Sequence, residues 1–342
     1  MISDLPLHLL LLVFAAAIVV VVLASIKATQ LADVIADRTQ MGEALTGGLI
    51  LGGATSLAGI VVSVNAALSG DASFAFSNAV GGIAAQTLFL AVADLLHKRA
   101  NLEHAAAEPA NLFQAVMLIV LLSLPIGAMA GPDIAYLGIH PVSVLMFLAY
   151  LAGTRLASNI SEEPMWRPVK TPETREDEPE DDKEAGRSAR GPATKFAVLV
   201  VLMGCGGWVI SQVGGTFITR FALSSSLVGS LITAVVTSLP ELVTTLVAVR
   251  RGALQLAVGG IIGGNTFDTL FLVASDIAYR DGSIFHAVEL HDLYWLATGL
   301  MMTAVLLGGL ILRQRAGPAR IGIESVLIMG IYATALVVEL TA

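Results

Sequence analysis

A chain that repeats apolar runs of about 20 residues from end to end has few structures open to it. Wound as a helix at about 1.5 Å per residue, such a run crosses roughly 30 Å of hydrocarbon, where backbone polar groups must be paired within the protein. Ten of them can be drawn along the 342 residues, at 5–26, 44–69, 72–96, 112–131, 139–158, 195–217, 223–249, 253–279, 290–312 and 320–341. The composition agrees, with 56% hydrophobic and 13% charged residues and a mean hydropathy of +0.80. The fold expected is therefore an all-α integral membrane protein with ten transmembrane helices. Asp4 and His8 lie near the start of the first run and no Lys or Arg occurs before Lys27, so the basic start of a cleaved signal peptide is missing and this run is expected to remain as a helix.

Half of the formal charge of −8 comes from one polar stretch. Residues 159–194 hold ten Asp and Glu against six Lys and Arg, with Pro164, Pro168, Pro172, Pro179 and Pro192 among them, and read as an acidic disordered linker. It separates a first five-helix half, 1–158, from a second, 195–342. The single cysteine, Cys205, excludes a disulfide within the chain and any Cys-based metal cluster, and is expected to be a small packing residue.

The two halves are related. Shifting the chain by 182 residues lays 38–94 over 220–276 without a gap, with 19 of 57 positions identical. The matches include Arg38 with Arg220, Gly47 with Gly229, Thr55-Ser56-Leu57 with Thr237-Ser238-Leu239, Gly81-Gly82 with Gly263-Gly264, and Asp94 with Asp276. Ordered Gly, Thr and charged matches at one offset indicate an internal duplication. Five spans per half is an odd number, so the second copy is expected to enter the membrane facing the other way, giving two inverted five-helix repeats. With the N-terminus outside, 17 of the 19 Lys and Arg fall on cytoplasmic segments or span ends, leaving Arg220 and Arg280 outside. Both termini are thus placed outside and the linker in the cytoplasm. Inverted repeats with broken helices are the architecture of secondary transporters, with sites near the midplane where the copies meet.

The second copy carries acid in that region. Glu241 lies well inside the run 223–249, where an ionised carboxylate costs roughly 2.5–3.5 kcal/mol even on lenient insertion scales. Pro240, just before it, has no N–H and clashes with the Val236 carbonyl, so the helix should break there and free carbonyls near Val236 and Thr237. The following run contains "GGIIGGNTFDTLFL", residues 259–272, which puts Asn265 and Asp268 on one helical face beside paired glycines. Two carboxylates, an amide, Thr and Ser hydroxyls and loosened carbonyls make an all-oxygen set suited to hard cations such as calcium or sodium, not to zinc or copper.

"TSLPELVTT" followed by "GGNTFDTLF" resembles the second alpha-repeat of the sodium/calcium exchanger and cation antiporter superfamily, whose pattern is Gly-Thr-Ser-Leu-Pro-Glu and then Gly-Ser-Asn with a polar residue three further on. The resemblance implies that Glu241 is a principal cation ligand, with Asp268 the acid of the next helix and Thr237 and Ser238 giving backbone and hydroxyl oxygens. Val236 stands where the family has Gly, and Gly264 where it usually has Ser. The first copy departs further: Ala58 and Gly59 occupy the slots of Pro240 and Glu241, Ile83 that of Asn265, Gln86 that of Asp268, and Gly82 that of a ligand Ser. Thr55, Ser56 and the Gln86 amide remain as neutral oxygens, and Gly52, Gly53 and Gly59 are expected to loosen the helix without Pro. The acid charge of the site is then −2, from Glu241 and Asp268, which balances one calcium ion. An acid introduced at position 59 is expected to face Glu241 across the repeat axis.

The function this implies is a cation antiporter of a bacterial-type plasma (inner) membrane, exchanging calcium or a similar hard cation for sodium or protons by alternating access. The alternative is a transport-inactive relative acting as a cation sensor or partner subunit, since one half has lost its acid. No nucleotide-binding loop, nucleophile elbow or zinc signature marks an enzyme, and no cofactor is expected beyond the transported ions. Partners are inorganic cations and the lipid bilayer, with a homo-oligomer left open and no nucleic acid expected. "HAVELHD", residues 286–292, misses the usual metal-ligand spacings, and Glu324 and Glu339, near the ends of the last run, are expected to reach the interface.

The orientation is open to a direct test. With Cys205 replaced by Ala, cysteines at Asp177→Cys and Ala253→Cys should label from the cytoplasmic side and Asp71→Cys from outside. Asp71 and Ala253 are equivalent by the repeat, so labelling both from one face would contradict the inverted topology.

Overall fold

The computed structural model describes residues 2–39, 52–97, 101–169, 188–315, 317 and 321–341. Nearly all of the described chain is helical: α1 (Leu7–Thr39), α2 (Gly52–Leu68), α3 (Ala72–Leu96), the short α4 (Leu102–Ala106), α5 (Pro109–Ala130), α6 (Pro141–Glu162), α7 (Arg190–Phe221), α8 (Ser225–Thr237), α9 (Leu239–Arg251), α10 (Leu254–Ala278), the short α11 (Ile284–Ala287), α12 (Leu290–Leu312) and α13 (Ile323–Thr341). Among the described residues, eight helices are long and apolar enough to cross a membrane, or nine if α8 and α9, bent by 43°, count as one broken span. The run expected at 44–69 is represented by the 17-residue α2, because residues 40–51 lie outside the described residues.

Burial sorts these helices. In α3 and α10, 78% of the apolar window is buried, against about 28–33% in α1, α5, α6, α7 and α13. A helix that is apolar all round belongs in the centre, whereas the others turn residues such as Leu12, Leu23, Leu148 and Val201 outward as a lipid-facing surface. Glycine lets the central elements touch. A β-carbon on Gly81 of α3 would lie 2.4 Å from the Ser230 Cα, and one on Gly229 of α8 would meet the Ser77 hydroxyl and the Phe74 carbonyl. Along this contact α8 widens into a π turn at Val228–Thr233.

The 182-residue offset reappears in the hydrogen bonds, beyond the stretch where the sequences align. Asp94, ending α3, accepts the Leu102 N–H at 2.8 Å and the Gly322 N–H at 3.0 Å. Asp276, ending α10, accepts the Ile284 N–H at 3.1 Å and the His140 N–H at 2.8 Å. All three pairs, Asp94 and Asp276, Leu102 and Ile284, and His140 and Gly322, are 182 apart. So are His104, 2.7 Å from the Arg313 carbonyl, and His286, 3.2 Å from the Gly131 carbonyl. Each aspartate ties a short helix and the start of a later long helix to the end of a central one.

Three expectations need correcting. Glu324 and Glu339 do not reach an interface: they are only 5% and 6% exposed. Glu339 accepts the Trp295 Nε1–H at 2.7 Å and the Ser226 hydroxyl at 3.4 Å, while Glu324 lies in space left by Gly309 and Gly322. Cys205 is exposed on α7, since it is Gly206 and Gly207 that turn inward, against Val21 and Ala58. Helices also run into both ends of the 159–194 stretch, to Glu162 and from Arg190, and residues 170–187 of it lie outside the described residues.

Glu103 of α4 is fully buried, with the Ser325 hydroxyl 3.4 Å from its Oε1. Burial, and then the charges of Asp94 and Glu324, push its carboxyl well above the usual carboxylate range. The native state therefore keeps a proton that the unfolded chain releases near pH ~4.3. The sign follows: this contribution is complete at lower pH and declines as pH rises toward the native value. Glu103→Gln, a mimic of the protonated form, should flatten the fall in the thermal midpoint between pH 5 and pH 8. An equally steep fall in the variant would contradict this assignment.

Candidate cation site

The break between α8 and α9 is built from Ser238 and Pro240. Pro240 has no N–H to give the Val236 carbonyl, which is reached instead by the Ser238 N–H, and Ser238 leaves helical geometry at φ −93° and ψ 1°. The chain restarts as α9 at Leu239, so Glu241 stands in its first turn, where the helix N-terminus favours a carboxylate. The repeat partner behaves differently. With Ala58 in place of Pro, α2 runs unbroken from Gly52 to Leu68, so the expected loosening at Gly59 does not occur. Gly59 stays in the helix, and its carbonyl accepts a 3.1 Å hydrogen bond from Asn78 Nδ2.

Four elements converge here. Glu241 is 4% exposed and Asp268, on α10, 1%. From α2, the Ser56 hydroxyl donates to Glu241 Oε1 at 3.3 Å, and half-buried Thr55 also reaches Glu241. From α3, Gln86 Nε2 donates to Asp268 Oδ2 at 2.5 Å and contacts the Ser238 Oγ at 3.4 Å. Gln86 and Asp268 are themselves 182 residues apart, so equivalent positions of the two copies touch. Asn265 Nδ2 donates to Thr87 Oγ1 at 3.0 Å, which turns its amide oxygen free. The Thr237 hydroxyl is used within its own helix, donating to the Thr233 carbonyl at 2.9 Å. Thr55, Ser56, Gln86, Ser238, Glu241 and Asp268 are thus brought together, Asn265 borders them through Thr87, and Thr237 faces position 59.

The decisive feature is what these groups lack. Gln86 Oε1, Glu241 Oε2, Asn265 Oδ1 and Asp268 Oδ1 are all buried and have no hydrogen-bond donor among the described residues. Buried polar atoms are normally paired, and a buried carboxylate without a partner costs several kcal/mol. No Lys or Arg among the described residues acts on either acid. Four unpaired oxygens, two of them anionic, fit a hard cation held by oxygen ligands. No group of three or more His, Cys, Asp or Glu among the described residues could hold a metal ion, and this includes the 286–292 stretch: His286 turns to Gly131 and Asp133, while Asp292 accepts from Ser73.

Several neighbours escaped the sequence reading. Phe271 packs against Gly59, at the position where the repeat would put an acid. Tyr150 of α6 is fully buried, and its ring meets Phe267 edge-on at 6.1 Å. Asn78 joins three elements, donating to the Gly59 carbonyl and to Ser63 Oγ at 2.8 Å while accepting from Thr233 Oγ1 at 2.7 Å. Its one signal in the sequence was an amide inside the apolar run 72–96.

Comparison with known proteins identifies the family and the fold. The profile of the family described as sodium/calcium exchanger protein matches residues 9–155 and 192–341. A putative antiporter, CaxA of Alkalimonas amylolytica, is 34% identical over 105 residues, 31% of each chain. The inner membrane protein YrbG of Escherichia coli K12 is 39% identical over 64 residues, 19% of this chain and 20% of that one. The matched stretches therefore span less than a third of these relatives. Among solved structures, the sodium-calcium exchanger NCX_Mj superposes with a TM-score of 0.57 at 18% identity, covering 95% of this chain and 96% of that one. Native YfkE superposes with a TM-score of 0.66 at 13% identity, covering 96% and 92%. At such identities the likeness is one of fold.

Proposed function

Because the chain belongs to the sodium/calcium exchanger protein family, we propose that it is a secondary antiporter that moves calcium or a similar hard cation in exchange for sodium or protons. The observation that carries this reading is the set of four unpaired buried oxygens on Gln86, Glu241, Asn265 and Asp268. In it Glu241 and Asp268 supply the charge, while Gln86 and Asn265 supply neutral oxygens. Ser56 and Thr55 hold the acids in place, Ser238 meets Gln86, and Thr237 faces position 59. One divalent ion neutralises the site, as do two protons or one sodium with one proton, so the loaded and the returning forms can each cross between the two faces without an uncompensated charge in hydrocarbon.

Alternating access follows from the architecture we assign to the chain: ten spans in two inverted five-helix repeats, 1–158 and 195–342, joined by the acidic linker 159–194. The paired clasps of Asp94 and Asp276 support that assignment, since each ties a short helix of its own copy and the start of the last helix of the other copy to the end of a central helix, at the same offset. The site lies where the copies meet, at the contact of Gln86 with Asp268. Movement of one set of helices against the other around this contact would open it first to one face and then to the other. We place the protein in a plasma membrane of bacterial type with both termini outside, as the distribution of Lys and Arg indicates.

Glu241→Gln removes half of the site's charge at nearly constant volume. In vesicles containing the purified protein it should abolish calcium uptake driven by an outward sodium or proton gradient, at unchanged insertion. Parent-like flux from the variant would exclude Glu241 from the transport path.

A further inference from the structure

The repeat sets Gly59 of α2 opposite Glu241 of α9, yet the space beside Gly59 is not empty. A β-carbon at position 59 would lie 2.6 Å from Phe271 Cε2, 3.2 Å from Phe271 Cζ and 3.5 Å from Thr237 Oγ1. Phe271 is 4% exposed and follows Asp268 by three residues, about one helical turn of α10. Its ring meets Phe267 edge-on at 6.5 Å, and Phe267 meets Tyr150 at 6.1 Å, so it is backed by a chain of aromatic contacts. On the other side the α2 backbone is held in place by Asn78, through the Gly59 carbonyl and the Thr233 hydroxyl. Neither wall can readily withdraw.

We propose that Phe271 is a specificity-determining residue that limits the site to one cation, by filling the lobe in which the repeat would place a third carboxylate. The inference rests on the transport reading given above. A second ion in the same site needs oxygen ligands of its own and further negative charge to offset its desolvation. A phenyl ring supplies neither. The lobe on the far side of the pair is different: a β-carbon at Gly82 would be in ordinary contact with Ser238 Oγ at 3.5 Å and Asp268 Oδ2 at 3.9 Å, and one at Gly264 would lie 3.3 Å from Gln86 Oε1. Small residues there leave room around Asp268, whereas the lobe beside Glu241 is closed. The site therefore takes one divalent ion, and sodium competes with it at most one for one.

The test is calcium calorimetry on the purified full chain with sodium as competitor. The parent should bind one calcium per chain, with sodium competing at a Hill coefficient of about 1. Gly59→Glu alone meets the Phe271 ring and should gain no affinity. Phe271→Ala alone empties the lobe without adding charge, and sodium competition should stay one for one. The double variant Phe271→Ala with Gly59→Glu should bind calcium at least tenfold more tightly, with the Hill coefficient for sodium rising toward 2. The pair Phe271→Ala with Gly59→Asp carries a shorter acid into the same lobe and serves if the first double variant does not fold. A folded double variant with parent-like affinity and a Hill coefficient near 1 overturns the role of Phe271. A parent chain that binds no calcium overturns the transport reading, and this proposal with it.

Discussion

Two carboxylates buried side by side with no basic partner among the described residues set the terms for the rest of this molecule. Glu241 and Asp268 sit in the centre of a helical assembly built to exclude water, and each keeps one oxygen without a donor. Neutral groups stabilise them only in part: Ser56 lies between the two acids, with Thr55 beside Glu241 and Gln86 beside Asp268. The arrangement is costly when empty and neutral when a divalent cation is bound, which is the condition a carrier must meet. On the antiporter reading proposed above, two protons, or one sodium with one proton, would discharge the same acids on the return.

The scaffold serves that arrangement. Paired glycines bring α3 against α8 closely enough for Gln86 to reach both Ser238 and Asp268. Pro240 interrupts the second copy of the repeat and leaves Glu241 in the first turn of a fresh helix. The first copy has neither proline nor acid, and its helix is continuous. The asymmetry of the sequence thus becomes an asymmetry of structure, one broken span against one intact helix. Asp94 and Asp276, by contrast, keep the same partners in both copies, because what they satisfy is backbone N–H and not a ligand.

Much of this was legible in the sequence because the signals are one-dimensional. Apolar run length located the helices, and the runs at 72–96 and 290–312 coincide with α3 and α12. Proline within an apolar run marked the break, and a fixed offset marked Gln86 as the repeat equivalent of Asp268, though not that the two touch. What stayed hidden depends on which side chains meet across elements. Phe271 read as one more apolar residue, although it occupies the slot of the missing acid. Glu324 and Glu339 near helix ends suggested an interface, but Gly309, Gly322 and Trp295 provide them with buried places that no local pattern records. The unbroken α2 was missed for a related reason: Gly59 weakens a helix, yet its neighbours retain every N–H that Pro240 removes from the second copy.

The central claim is that one cation binds between Glu241 and Asp268. A structure determined with calcium present tests it most directly. The account predicts a single ion within about 2.3–2.6 Å of oxygens from Glu241, Asp268 and Gln86, with Phe271 still against Gly59. Well-ordered carboxylates with no ion between them at saturating calcium, or an ion held by other residues, would contradict it.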